Sequence, residues 1–248
     1  MTLSRQQKLI IILLLFYWPA IFILTHIPIP QVVYKAHVSD KTIHFLAYFI
    51  LIFLLWFAIN PGRKVNWRKA AAWCILFVVV WYGVADEVLQ GYVGRSCDVR
   101  DFIADLTGTL AGLILFSLLT FWPASLVVTG TTIFLLENLA KANLSDLVPI
   151  INTLFHLFAY SFFAILWGHY IHLYLAIKPP KYAWLALALA VPITFLFLVK
   201  LFSVISGSYF DTYNVIIAAA GIVIVVLAYY IIVLLRCSIA KKNNLPGN

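Results

Sequence analysis

The chain has 248 residues, of which 64% are hydrophobic and only 10% are charged. Soluble globular domains carry roughly 25% charged residues, so this composition excludes a soluble fold and indicates a protein whose main solvent is the lipid bilayer. The formal net charge of +8 does not indicate nucleic-acid binding, because the Lys and Arg residues form short clusters between apolar runs, as topology signals do.

Eight apolar runs follow one another along the chain, each close to the roughly 20 residues that a helix needs to cross a bilayer. They lie near residues 9–28, 42–59, 70–90, 102–121, 124–140, 154–173, 182–203 and 213–235. The first run resembles a signal peptide but is followed by no small-residue cleavage site, so we interpret it as a retained helix. Only Trp122 and Pro123 separate the fourth and fifth runs, and seven spans is the competing count. We predict an all-α, polytopic bundle of about eight transmembrane helices.

Charge is distributed unequally between the two ends of these predicted spans. With eight spans, the side of the N-terminus holds eleven of the seventeen basic residues, which by the positive-inside rule places both termini in the cytoplasm. All nine acidic residues fall on the opposite side. We therefore expect a multi-pass protein of the cytoplasmic membrane whose polar site faces outward.

The two halves of the chain show a weak internal similarity. A shift of 112 residues aligns His44 with His156 without a gap, and the other spans superpose at the same shift. The acidic residues of the third span then meet apolar residues, so the second half has lost those charges. We predict two parallel four-helix repeats, with the polar site in residues 1–121 and a degenerate scaffold in residues 122–248.

The outer end of the second span carries four polar residues at spacings of three and four, which places them on one helical face. They are Asp40, Lys41, His44 and Tyr48. A snorkelling lysine and an interfacial tyrosine are the structural alternative. A histidine one turn from a carboxylate instead favours a functional site.

The outer end of the third span carries Asp86, Glu87 and Gln90. They follow an apolar stretch directly, so the two carboxylates lie at or just inside the hydrocarbon edge. Ionised carboxylates are costly there without partners. An acid/base site and a plain structural ion pair both satisfy this pattern, and we favour the acid/base site.

The start of the fourth span carries Asp98, Asp101 and Asp105 on one face. The first two are explained by helix capping and the helix dipole, whereas Asp105 lies a full turn deeper. Gly108 and Gly112 share its face and permit close helix packing. We therefore expect Asp105 to face the bundle interior.

Together these three spans predict one outward-opening polar pocket. Arg95, in the loop before the fourth span, is a natural counter-ion for the acids or a fork for a phosphate or carboxylate of a ligand. Five carboxylates and a histidine are also a ligand set that a divalent cation can use. No specific metal-ligand spacing occurs, so the cofactor stays an open question.

At these residues the chain resembles the VanZ-like family over about residues 9–121. The matching elements are Asp40-Lys41-x-x-His44-Phe45-x-x-Tyr48, Asp86-Glu87-x-x-Gln90, and Arg95 followed by Asp101-x-x-x-Asp105-x-x-Gly108-x-x-x-Gly112. The family usually has Asn where this chain has Asp105, which adds a charge here. The resemblance implies a bacterial envelope membrane protein associated with glycopeptide resistance, of the teicoplanin type, and supplies no known reaction.

The favoured hypothesis is an enzyme that acts on a lipid-linked glycan or peptidoglycan precursor in the membrane. Its predicted catalytic residues are His44, Asp86, Glu87 and Asp40. Its predicted substrate-binding residues are Lys41, Tyr48, Gln90, Arg95, Asp101 and Asp105. The alternatives are a non-catalytic binder or scaffold for envelope lipids or cell-wall enzymes, and a small-molecule transporter.

Overall fold

The computed structural model describes residues 3–26, 40–93, 98–139, 149–207 and 210–243, and every regular element in these ranges is an α-helix. The helices are α1 (Arg5–His26), α2 (Asp40–Ile59), α3 (Ala70–Tyr92), α4 (Val99–Leu118), α5 (Phe121–Asn138), α6 (Pro149–Tyr174), α7 (Tyr182–Ile205) and α8 (Thr212–Asn243). Each of the eight predicted apolar runs coincides with one of these helices, and α8 continues about two turns further. The all-α prediction is confirmed.

Seven of the eight described helices are long and apolar enough to cross a membrane. The exception is α5, in which three threonines interrupt the apolar run and Glu137 and Asn138 end the helix. The predicted polytopic membrane bundle is thus confirmed. The count of eight spans, and the sidedness that depends on it, stay predictions.

The chain divides into two compact units, Met1–Asn143 and Leu144–Asn248. The first contains α1 to α5 and the second contains α6 to α8. The division falls after α5 rather than at the predicted repeat boundary of residue 121, because α5 packs on α2. At this contact the ring of Phe121 lies 5.6 Å from that of Phe53 and 5.3 Å from that of Phe57, measured between centroids.

Helix α2 is the centre of the first unit. Every residue from Leu51 to Ala58 is buried, since α1, α3, α4 and α5 all contact this helix. A helix that is apolar on all sides is covered either by protein or by lipid, and here neighbouring helices cover it. The polar residues that begin α2 are therefore attached to the most buried of the candidate spans described.

Two glycines allow α4 to approach α2 closely. A Cβ atom on Gly108 would collide with the carbonyl oxygen of Phe45, and one on Gly112 would collide with the side chain of Ile52. The predicted small-residue face is therefore a packing surface, as in other close helix pairs of membrane proteins. Asp105 lies one turn above Gly108 and is carried against α2 by this contact.

The second unit is built on a similar pairing between α6 and α8. Adding 112 to Ala70 and Val99, the first residues of α3 and α4, gives 182 and 211, and α7 and α8 begin at Tyr182 and Thr212. Gly221 of α8 lies against the carbonyl oxygen of Leu157 on α6. The duplication itself stays a prediction.

Candidate functional site

A buried hydrogen bond joins α2 to α4 in the first unit. His44 Nδ1 lies 3.0 Å from Asp105 Oδ1, and the two residues are only 4% and 1% exposed. They are 61 positions apart in sequence, and the glycine contact between α2 and α4 brings them together. When Asp105 is ionised its carboxylate can only accept, so His44 Nδ1 donates and the imidazole is held in one orientation.

Glu87 of α3 lies beside this pair. One ligating atom from each of His44, Glu87 and Asp105 falls within 4.8 Å of the others. Glu87 Oε2 accepts a hydrogen bond from the backbone N–H of Asp98 at 3.1 Å. Among the described residues, Glu87 Oε1 and Asp105 Oδ2 are buried and have no hydrogen-bond partner. Three predicted site residues from three helices thus meet in one buried cluster.

Asp86, next to Glu87 in sequence, has a different environment. Its Oδ1 accepts a hydrogen bond from Thr25 Oγ1 at 3.0 Å, and its Oδ2 accepts one from Gln90 Nε2 at 2.8 Å. His26 Nδ1 lies 3.7 Å from Asp86 Oδ1. Asp86 therefore ties the end of α1 to α3, and both of its oxygens are engaged.

Sequence reasoning missed Thr25 and His26 as neighbours of the site. They stand at the same end of the bundle as the other polar residues, and this position was the only signal that could have found them. A motif search does not find them, because they lie on α1 outside any charged pattern.

The rim of the cluster consists of Asp40, Lys41, Asp98 and Asp101, of which the first three are more accessible than the buried cluster. Lys41 is half exposed, and its Nζ lies 3.5 Å from Asp101 Oδ1 and 3.8 Å from Asp98 Oδ2. Asp98 caps α4 by accepting a hydrogen bond from the backbone N–H of Arg100 at 2.9 Å. Asp40 is half exposed, and its Oδ1 lies 3.9 Å from His44 Nε2. The Nε2 side of His44 thus faces the rim.

The remaining predicted site residues are placed as follows. Tyr48 is 1% exposed, and its ring lies 5.9 Å from that of Tyr82 between centroids. It therefore belongs to the packed interior one turn below His44. Gln90 is buried and bonds Asp86. Arg95 lies outside the described residues.

A cavity of about 360 Å³ opens beside the rim. Its lining is mostly apolar and consists of Lys41, Thr42, Phe45, Ala104, Thr107 and Leu135. Because Lys41 also contacts Asp101, this side chain connects the cavity with the acidic rim.

The second unit contains a buried histidine of its own. His156 Nδ1 lies 2.9 Å from the carbonyl oxygen of Asn152, and its Nε2 lies 2.9 Å from Lys200 Nζ. His156 and Lys200 are 4% and 8% exposed. The ammonium can only donate, so His156 Nε2 accepts and its Nδ1 donates to the carbonyl. Sequence reasoning predicted that this half keeps the histidine but did not identify Lys200.

Comparison with known proteins identifies a family match within the first unit. The family model described as VanZ/LLP1 matches residues 3–120, a range that includes α1 to α4 and every polar residue of the site. No curated protein and no solved structure matches the chain.

Proposed function

We propose, from the premise that residues 3–120 form a VanZ-like domain of a multi-pass membrane protein, that this domain is an enzyme acting on lipid-linked precursors of the cell envelope. The observation that carries the proposal is the buried hydrogen bond between His44 and Asp105, with Glu87 beside it. A histidine held in one orientation among carboxylates is well suited to transfer protons.

The two ring nitrogens of His44 have different tasks in this proposal. Nδ1 is held by Asp105, which fixes the tautomer and the ring orientation. Nε2 faces the half-exposed Asp40 at the rim, where a substrate can reach it. Positioned acid/base groups of this kind accelerate reactions by about 10²–10⁴-fold.

The surroundings of Lys41 support an amphiphilic, anionic substrate. Its ammonium lies at the accessible rim, and the residue also lines the neighbouring cavity together with Phe45 and Leu135. A phosphate-bearing headgroup fits the cationic end, and a lipid chain fits the apolar side. We assign Arg95 to the same headgroup on its charge and its place in the sequence.

The other predicted residues support this site. Asp86 and Gln90 bond each other, and Asp86 also bonds Thr25, so we assign them the task of positioning α3, and hence Glu87. Asp101 neutralises Lys41 when substrate is absent. Tyr48 closes the base of the cluster and reaches no accessible surface.

The proposal places the site at the outward face of a bacterial cytoplasmic membrane, with both termini in the cytoplasm. The excess of Lys and Arg on the side of the N-terminus supports this orientation. In this orientation the pocket would meet lipid-linked precursors in the outer leaflet. Precursors altered in this pocket would then lead to glycopeptide resistance.

The direct test uses full-length protein in nanodiscs with lipid-linked peptidoglycan precursors, and mass spectrometry of the products. We expect the wild-type protein to convert a precursor, and His44→Gln to lower the rate by about 100-fold or more. His156→Gln is the matched control, because it removes a buried histidine from the second unit and should keep the wild-type rate. Unchanged precursors with the wild-type protein, and full teicoplanin resistance in a His44→Gln strain, would refute the proposal.

The alternative is a non-catalytic binder of envelope lipids, which the cavity at Lys41 also suits. The isosteric variant Glu87→Gln separates the two hypotheses. With this substitution a binder would lose only part of its affinity for the lipid, whereas an enzyme would lose nearly all of its turnover. Uptake of labelled precursor into proteoliposomes tests the transporter hypothesis in the same preparation.

A further inference from the structure

We infer that His44, Glu87 and Asp105 bind one divalent cation of the first transition row. The inference builds on the proposed function, because it places a cofactor in the same pocket. It shares with that proposal the close approach of these three side chains, and the buried oxygens of Glu87 and Asp105 without partners among the described residues are its own evidence. The three side chains come from α2, α3 and α4, so the cation would join the three helices of the site.

The distances fit a cation. Bonds from a first-row ion to nitrogen and oxygen ligands are about 2.0–2.2 Å long, so neighbouring ligand atoms lie about 3 Å apart and opposite ones about 4.2 Å. His44 Nδ1 and Asp105 Oδ1 are separated by 3.0 Å, as neighbouring ligands are. One ligating atom from each of His44, Asp105 and Glu87 falls within 4.8 Å of the others, an upper bound slightly above the distance between opposite ligands.

The unsatisfied atoms also indicate a ligand. Glu87 Oε1 and Asp105 Oδ2 are buried without a hydrogen-bond partner among the described residues, and their residues are 4% and 1% exposed. Buried oxygens that lack partners are rare and costly. A divalent cation bound by Glu87 Oε1 and by both carboxylate oxygens of Asp105 would satisfy them, and its two positive charges would balance the two carboxylates.

The chemistry of the ligands selects the class of cation. One imidazole nitrogen favours Mn²⁺, Fe²⁺ or Zn²⁺ over Ca²⁺ and Mg²⁺, which prefer an all-oxygen shell. When bound, such a cation supplies a Lewis acid for a phosphoryl or carbonyl oxygen. Ligation by Nδ1 would replace its hydrogen bond to Asp105, because a metal-bound nitrogen carries no proton, and Asp105 would then orient the ring through the cation. His44 Nε2 would keep facing Asp40 at the rim.

A neighbouring set, Asp40, His44 and Asp101, meets the same distance criterion but is a weaker candidate. Asp40 is half exposed, and the ammonium of Lys41 lies 3.5 Å from Asp101 Oδ1. A lysine at that distance opposes a second positive charge. The buried set has no lysine or arginine in contact within the described chain, so we assign the cation to it.

The test uses full-length protein that has been treated with a chelator and then titrated with MnCl₂. We expect one Mn²⁺ per chain, and displacement by Zn²⁺ at lower concentration than by Mg²⁺. Glu87→Gln and Asp105→Asn should each weaken Mn²⁺ binding by about 100-fold or more, since even residues that only orient ligands cost about 10–100-fold. His156→Gln should bind Mn²⁺ as the wild-type protein does.

A spectroscopic readout separates ligation from folding. Pulsed electron paramagnetic resonance of bound Mn²⁺ should show a nitrogen coupling from one imidazole, and His44→Gln should remove that coupling. Size-exclusion profiles and thermal unfolding of each variant verify that the protein is folded. A wild-type spectrum without nitrogen coupling, or unchanged affinity in folded Glu87→Gln and Asp105→Asn, would overturn the assignment.

The outcomes distinguish this inference from the proposed function. Specific Mn²⁺ binding in a protein that converts no precursor supports the cation site and refutes the enzyme. If protein treated with a chelator still converts precursor at the full rate and binds no added Mn²⁺, the enzyme is supported and the cation site is refuted. Arg95→Gln should leave Mn²⁺ binding intact. If Mn²⁺ binds only after Arg95 is replaced, Arg95 is the counter-charge of the cluster and the native cation site is refuted.

Discussion

The two units of this protein each bury a histidine on their central helix, but they surround it with groups of opposite charge. In the first unit His44 bonds Asp105, and Glu87 lies nearby. In the second unit His156 contacts Lys200 and a backbone carbonyl oxygen. One unit thus holds an acid-rich site, and the other holds a cationic contact.

The predicted duplication accounts for this difference by the residues that align at a shift of 112. Asp105 aligns with Ile217, and Glu87 aligns with Val199. Without these acids the second unit cannot form the carboxylate cluster that we assign to catalysis and to cation binding. The comparison teaches that helix packing alone does not create the site. Single substitutions in each unit test which residues create the site.

The largest effect is expected from Asp105→Ala, which removes from the first unit the carboxylate that the second lacks at the aligned position. His44 would lose its orienting partner, so the proposed turnover should fall by about 100-fold or more. Precursor conversion in nanodiscs measures this effect. Asp211→Asn in the second unit is the control, because Asn can still cap the helix there and turnover should be unchanged. Equal losses of turnover in the two variants would argue against the assignment of the site to the first unit alone.

The next effect concerns the glycine contacts. Gly108→Ala should destabilise the protein by about 1–3 kcal/mol, because the new Cβ meets the rigid carbonyl of Phe45. Gly221→Ala should cost less, about 1 kcal/mol, because its nearest neighbour is the hydroxyl of Ser161, which can rotate, while the carbonyl oxygen of Leu157 lies farther away, at 3.0 Å. Unfolding in mixed micelles with increasing sodium dodecyl sulfate measures both. A larger cost at Gly221 would contradict this ranking.

A smaller effect is expected where α1 meets the site. Thr25→Val removes the hydroxyl that donates to Asp86 Oδ1, which should cost about 1 kcal/mol of stability. The matched control is Thr132→Val, which removes a hydroxyl that donates to the carbonyl oxygen of Val128 in the same helix and should change stability by less than about 0.5 kcal/mol. If the two variants behave alike, the bond between Thr25 and Asp86 contributes nothing measurable.

The smallest effect is expected from Lys200→Met in the second unit. The variant loses a hydrogen bond to His156 but no longer buries an ammonium group, and these terms offset to within about 1 kcal/mol. Precursor conversion should stay at the wild-type rate, in contrast to a strong loss for Lys41→Met in the first unit. Loss of turnover in Lys200→Met would mean that the second unit takes part in the reaction.

Much of the site could be predicted because helical periodicity is local. The spacings of Asp40, His44 and Tyr48 on one span, and of Asp101 and Asp105 on another, identify faces without knowledge of the fold. Which faces meet depends on interhelical packing. Asp86 therefore received the same predicted role as Glu87, although the folded chain engages both oxygens of Asp86 and leaves one oxygen of Glu87 without a partner among the described residues.

The sequence by itself determined that this is a membrane protein of apolar helices. A bilayer offers no hydrogen bonds to the backbone, so each long apolar run must satisfy its own backbone groups as a helix. Only the tertiary structure decided that His44 bonds Asp105, that Asp86 is held by Thr25, and that α5 belongs to the first unit. These contacts join residues far apart in sequence. They depend on interlocking surfaces, which periodicity does not encode.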